Sequence, residues 1–183
     1  GYGINLLPLA TFAMEAYGDD PCALFMPKTK FADNAMDEKT TRLIAQMHKA
    51  ITIIQFKLEG EIIRRRPEFE MDDRMLLHHI DLKRGVVHID GKDYTLKDTN
   101  WPTLDPKDPY RLSIEEEDLI RKILHSFESS EKMKKHMRCF FRHGGMYQVC
   151  NSNLLFHASI PMNPDGTFKS VRILGQDYKG RAL

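Results

Sequence analysis

From Asp37 to about Arg65, apolar residues recur at three- and four-residue steps: Ile44, Met47, Ile51, Ile54, Leu58 and Ile62 fall on one helical stripe. Asp37 stands at the N-cap position and Pro67 lies beyond the far end, so the pattern predicts a long amphipathic helix. A shorter helical stretch, Asn5 to Tyr17, stops at Gly18 and gives way to the turn residues Asp19, Asp20 and Pro21. Asp72 and Asp73 suit the start of another helix, running to about Leu82 and closed by Gly85. Val86, Val87 and Ile89 before Asp90-Gly91, with Tyr94 and Leu96 after it, predict a tight hairpin. Pro102, Pro106 and Pro109 exclude regular structure from Asn100 to Tyr110. Ser113 and Glu116 form a capping box for a helix to about Ser126, and Ser129 or Ser130 opens one that ends at Gly144-Gly145.

The period then changes to that of strands. Met146 to Val149, a turn at Asn151-Ser152-Asn153, and Leu154-Leu155-Phe156 lead into His157. A third strand, about Thr167 to Leu174, follows the turn Asn163-Pro164-Asp165-Gly166. The fold class is therefore α+β: a mostly helical segment followed by a short antiparallel β element. The divisions implied are 1–36, an N-terminal helix and connection; 37–145, a mainly helical insert with a small hairpin; and 146–183, β-strands of a larger sheet. Three short strands without a covering layer are marginal, and Gly1-Tyr2-Gly3 has neither an initiator methionine nor a signal pattern, so the chain is expected to be a piece of a longer one.

Charge and cysteine content narrow the partners. Among 183 residues the formal net charge is +1, so no global field draws the chain to nucleic acid or a membrane surface. Cys22, Cys139 and Cys150 are widely spaced and form no C-x-x-C pair, which fits a reducing, cytoplasmic setting. No apolar run reaches the roughly 18 residues that span a bilayer.

Few residues could carry chemistry. His157 lies where an apolar strand meets a turn, a place where α/β proteins gather metals; a histidine satisfied by backbone at a strand end reads the same. His136, Arg138, Arg142 and His143 before the Gly144-Gly145 pair could face a phosphate, or form a solvated basic helix face. Adjacent helical residues point different ways, so His78 and His79 would not chelate one ion and belong at the surface. Trp101 reads as an anchor packed on the helices, His125 as structural, and Arg64, Arg65 and Arg66 as favourable charges at a helix end. There is no P-loop, H-E-x-x-H or G-x-S-x-G sequence.

Several stretches resemble the class III fructose-1,6-bisphosphatases of Firmicutes and Bacteroidetes. They are Gly1-Tyr2-Gly3-Ile4-Asn5-Leu6-Leu7-Pro8-Leu9-Ala10, Tyr17-Gly18-Asp19-Asp20-Pro21-Cys22, Glu61-Ile62-Ile63-Arg64-Arg65-Arg66-Pro67, Asp98-Thr99-Asn100-Trp101-Pro102-Thr103, and Asn153-Leu154-Leu155-Phe156-His157 with Ile160-Pro161. The resemblance implies an internal fragment of a calcineurin-like metallophosphatase, a β-sandwich flanked by helices with two metal ions, typically manganese. It implies hydrolysis of the 1-phosphate of fructose 1,6-bisphosphate without a covalent intermediate, a gluconeogenic step. His157 matches the histidine of an apolar-His-Gly-Gly motif and would be a metal ligand; no catalytic or cofactor-binding residue is matched. Where that motif has glycine, this chain has Ala158, which would strain a positive-φ turn. The Asp-x-His, Gly-Asp-x-x-Asp and Gly-Asn-His motifs of the other ligands are absent, so the segment alone is expected to be inactive. From their position close before the strand that leads into His157, and from the fit of guanidinium to phosphate, Arg138 and Arg142 could reach a sugar phosphate as bidentate donors. The alternative is a helical interaction or regulatory module of a metallophosphatase with another substrate, its apolar stripe equally suited to a homo-oligomer interface.

Overall fold

A computed structural model describes residues 1–28, 37–157 and 159–183. The chain is α+β and divides into two compact units, Gly1–Ser130 and Glu131–Leu183. Among the described residues, no helix is long and apolar enough to cross a membrane.

In the first unit, helix α1 (Leu7–Tyr17) packs against α2 (Glu38–Arg65) and α3 (Ile114–Glu128). Local chemistry sets the helix ends where the sequence puts them. The Asp37 carboxylate accepts the Thr40 N–H at 2.9 Å, and the Ser113–Glu116 capping box is present in both directions. Such a cap contributes about 1 kcal/mol. Gly18 ends α1 with φ −53°, not in the left-handed region; a Cβ there would lie 2.7 Å from the Met14 carbonyl oxygen.

Tyr17, Ala45, Ala50, Ile53, Ile54 and Leu119 are among the residues that form the main core. Burying each large one contributes roughly 1.5–3 kcal/mol relative to exposure. Yet the stripe read from the sequence is not the one that is buried. Of its six residues only Ile54 is fully enclosed; Ile62 is 47% exposed and the other four are half-buried. The buried face of α2 instead runs through Ala45, Gln46, Lys49, Ala50, Ile53, Ile54, Lys57, Gly60 and Ile63. Polar residues could join that face only because partners from elsewhere in the fold satisfy them.

A second cluster, Ile63, Met75, Leu77, Leu104 and Tyr110, surrounds the far end of α2. Gly60 makes room for the Tyr110 ring: a Cβ at Gly60 would sit 2.0 Å from it. Here the helix expected from Asp72 to Leu82 does not form. The segment makes two short 3₁₀ turns, Asp72–Arg74 and Leu77–His79, then strand β1 (Ile80–Asp81). Its donors have better partners elsewhere: the Leu77 N–H is taken by the Tyr110 hydroxyl at 3.0 Å, and Ile80 and Asp81 pair with the next strand. A helix this short needs tertiary packing to persist, and the packing favours another shape.

Strand β2 (Val86–Ile89) follows, and β3 (Lys92–Thr95) returns beside it through Asp90 (φ 48°) and Gly91 (φ 75°), the paired positive dihedrals of a two-residue hairpin turn. The three strands form one antiparallel sheet in chain order. Trp101, in the irregular proline-rich connection, packs against both core clusters as an anchor.

The second unit begins with α4 (Glu131–His143), so this helix groups with the strands that follow. Strands β4 (Tyr147–Cys150) and β5 (Asn153–Phe156) form a hairpin through Asn151 (φ 48°) and Ser152 (φ 61°). The expected third strand, 167–174, is a correction: β6 covers only Val171–Ile173, and Leu174 (φ 51°) and Gly175 (φ 80°) turn the chain into a fourth strand, β7 (Gln176–Tyr178). Leucine at a positive-φ position hid that turn from sequence reading. Met162 bridges Phe168 around the Asn163–Gly166 turn. All residues of β4 and β5 are exposed, including Val149, Leu154, Leu155 and Phe156.

Candidate functional site

Two places gather charged or titratable side chains, one in each unit. The first is buried. Lys49 on α2 is fully enclosed, and its ammonium donates to Asp20 at 2.5 Å and Asp98 at 2.7 Å. Asn100 adds a bond to Asp20 at 2.8 Å, and the Cys22 N–H donates to Asp20 at 2.7 Å. Burial alone would raise the Asp20 carboxyl; the hydrogen bonds from Lys49, Cys22 and Asn100 outweigh it and hold the group below the usual carboxylate range. Burial, reinforced by the Asp20 charge, pushes the Cys22 thiol up to about 11.

About two helical turns further along α2, Lys57 is equally enclosed and donates to Glu116 and to the Thr103 carbonyl, each at 2.6 Å. Glu116 also accepts the Ser113 N–H at 2.8 Å, so one carboxylate caps α3 and pairs a lysine of α2. Tyr17 lies beside Thr103 and near Glu116, and burial drives its phenol up to about 12. These networks join segments far apart in the chain. Two of the stretches that carry the family resemblance, 17–22 and 98–103, meet at Lys49 through Asp20, Asp98 and Asn100. With both lysines fully enclosed, while Asp98 and Asn100 reach solvent, the networks act as structural ties.

The second place is open. At the end of β5, His157 is exposed and lines a surface cavity of about 610 Å³ with His143, Gly144, Tyr147, Phe156 and Arg181 among its neighbours. The hairpin register sets Tyr147 opposite Phe156, which places the end of β5 at the mouth of the β4–β5 pair. Among the described residues the His157 ring makes no hydrogen bond or ion pair. No group of three or more His, Cys, Asp or Glu side chains among them could hold a metal ion. His157 therefore offers one donor, not a complete site. Ala158, beside it, lies outside the described residues.

The other residues singled out from the sequence are scattered. Arg138 and Arg142 are exposed on α4 but do not line the cavity; His143 and Arg181 do. Arg181 gave no local signal, being one basic residue in a polar tail. His136 is half-buried on the same helix. His78 and His79 are a correction: they share a 3₁₀ turn, not a helix, and their rings approach to 4.0 Å between centroids. Both are exposed, as expected, and His78 Nδ1 lies 3.0 Å from the Tyr110 hydroxyl. Partial burial, then the neighbouring His79 and Arg64, lower the His78 pKa. Arg64 stacks its guanidinium over Tyr110, 4.6 Å from the ring centroid, so it does more than end a helix. His125 lines a separate surface recess with Tyr2 and Arg121.

The described residues thus form an α+β chain that presents an unpartnered imidazole at a strand end without completing a metal centre. The whole chain, residues 1–183, matches the family model described as Firmicute fructose-1,6-bisphosphatase, and it belongs to that family. It is 67% identical over 183 residues to the "Fructose-1,6-bisphosphatase class 3" of Bacteroides thetaiotaomicron and 64% identical over 184 residues to that of Phocaeicola vulgatus. Against the protein of the same name from Clostridioides difficile it is 56% identical over 182 residues. Each match covers 100% of this chain; the chain spans 28% of the first two relatives and 27% of the third. No solved structure matches it significantly.

Proposed function

We propose that the protein containing this chain hydrolyses the 1-phosphate of fructose 1,6-bisphosphate to fructose 6-phosphate and phosphate, as a cytoplasmic gluconeogenic enzyme of the calcineurin-like metallophosphatase type. In this reading His157 is a ligand to a divalent metal ion, manganese by preference. The observation that carries it is the exposed, unpartnered imidazole at the end of β5, in a chain whose full length matches the family.

The donor chemistry fits a metal as far as it goes. A neutral imidazole suits manganese in a mixed nitrogen and oxygen site. Among the described residues no carboxylate lines the His157 cavity, so the remaining ligands would come from other parts of the protein. When bound, a metal pair supplies electrophilic stabilisation of the phosphoryl oxygens. This chain's contribution is to hold one ligand. β5 fixes the backbone before His157, and among the described residues neither ring nitrogen is engaged: one would face the ion, the other take an orienting hydrogen bond.

The test is His157→Ala in the full-length protein, with manganese content and phosphate release measured together. Loss of bound manganese and a fall in turnover of roughly 10²-fold or more are expected, since metal stabilisation amounts to several kcal/mol. A variant that keeps both its metal and its activity would remove His157 from the site.

A further inference from the structure

The cavity beside His157 is lined by two imidazoles and one guanidinium, His143, His157 and Arg181, with no aspartate or glutamate among the described residues of its wall. Most exposed ionic pairs of this chain engage arginine with a nearby carboxylate: Arg64 with Asp108, Arg66 with Glu68, Arg74 with Glu59, Arg84 with Asp93 and Arg121 with Asp118. Arg181 differs. Among the described residues it makes no ion pair or hydrogen bond, and it is exposed. A guanidinium in a recess with no acid among its described lining residues creates a local positive field.

We propose that Arg181, assisted by His143, binds a phosphate group of the sugar bisphosphate next to His157. The proposal rests on the phosphatase reading above and adds a substrate-binding residue to it. Guanidinium presents parallel N–H donors that match two phosphate oxygens, and an imidazole N–H can reach a third. The C-terminal carbonyls of α4 disfavour an anion nearby, but the Phe140 carbonyl is already engaged by the Gly144 N–H at 2.7 Å.

Arg181 is also held in place. Its turn, Gly180–Ala182, is closed by bonds from Ala182 N–H to the Lys179 carbonyl and from Leu183 N–H to that of Gly180, each at 3.2 Å. Gly180 is buried at φ 54°, and a Cβ there would lie 2.9 Å from the Phe168 ring. Phe168 in turn stacks on Tyr147, 6.2 Å between centroids at 23°. Tyr147 belongs to β4 and lines the same cavity. A packed chain, Gly180 to Phe168 to Tyr147, therefore ties the Arg181 turn to the hairpin that carries His157.

Arg138 and Arg142, the arginines suggested by position in the sequence, stand outside this wall and are not needed for it.

The experiment uses the full-length enzyme loaded with manganese. Arg181→Gln should raise KM for fructose 1,6-bisphosphate and the inhibition constant of inorganic phosphate by about tenfold or more, as loss of a charged hydrogen-bond donor requires. Manganese content should stay unchanged. Arg181→Lys, which keeps the charge but not the fork, should recover only part of the loss. Gly180→Ala should raise KM with the guanidinium still present, because the turn that aims it is displaced. An active wild-type enzyme whose Arg181→Gln variant keeps both constants within about twofold overturns this inference and leaves the phosphatase reading standing. A wild-type protein with no sugar bisphosphatase activity overturns both. If Arg181→Gln does not fold, Arg181→Lys decides: a raised KM supports phosphate binding and an unchanged KM overturns it.

Discussion

The two units of this chain solve the problem of burial in opposite ways. Residues 1–130 enclose two apolar clusters and lock two lysines, Lys49 and Lys57, beneath them, each satisfied by carboxylates. Residues 131–183 leave Phe140, Phe141, Val149, Leu154, Leu155 and Phe156 at the surface, and among their described residues only Gly180 is buried. The first unit has the interior of a self-supporting domain. The second has the form of small antiparallel pieces, two-stranded hairpins that are marginal without a further layer. Chemistry follows the same division: the enclosed charges act as ties, and the accessible imidazole and guanidinium lie where burial is least.

The sharpest way to break this contrast is to remove a buried charge partner. Lys57→Met leaves the Glu116 carboxylate enclosed and unpaired, and should lower the stability of the first unit by about 3–5 kcal/mol in a urea titration. Replacing Glu116 by leucine as well should recover part of that loss, but not the share due to the α3 cap. A loss under about 1 kcal/mol for the single variant would mean that the pair is open to water.

A smaller effect should appear with pH. The folded-state pKa of Asp20 is depressed below its ordinary 3.8. Its ionised form therefore stabilises the fold at all pH values above 3.8, and that contribution is lost as pH falls through the lower folded value. Thermal unfolding of the first unit followed from pH 6 to pH 2 should show this loss, and Asp20→Asn should flatten the acid limb. If the variant keeps the wild-type slope, other carboxylates control acid unfolding.

The smallest effect belongs to the second unit. Leu155→Ser on β5 removes a side chain that is already 53% exposed, so the stability of the 183-residue chain should change by no more than about 0.5 kcal/mol. The same change in the full-length protein should cost more if another layer covers this face. Equal small values in both would mean that the strand remains open to solvent in the full-length protein.

Much of the local structure was legible before any coordinates. Asp37 and Ser113 marked helix starts, Asp90-Gly91 and Asn151-Ser152 marked hairpins, and the α+β order was correct, because each signal depends on residues a few positions apart. The misses share a cause. The segment 72–82 looked helical until Tyr110 and β2 competed for its backbone, and the Leu174-Gly175 turn sits on a residue that rarely takes positive φ. For the candidate site, His157 could be singled out from its strand end and the family motif. Arg181 could not, because nothing local connects a tail arginine to a hairpin more than twenty residues earlier.

By itself, then, the sequence determined the Asp37 and Ser113 caps, the Asp90-Gly91 and Asn151-Ser152 turns, the α+β class and the family, all of which rest on near neighbours or on direct likeness. Only the tertiary structure decided which face of α2 is buried and what lines the cavity beside His157. The physical reason is that an enclosed lysine is tolerable only with its partner in place, and those partners lie 29 residues away for Lys49 and Asp20 and 59 for Lys57 and Glu116.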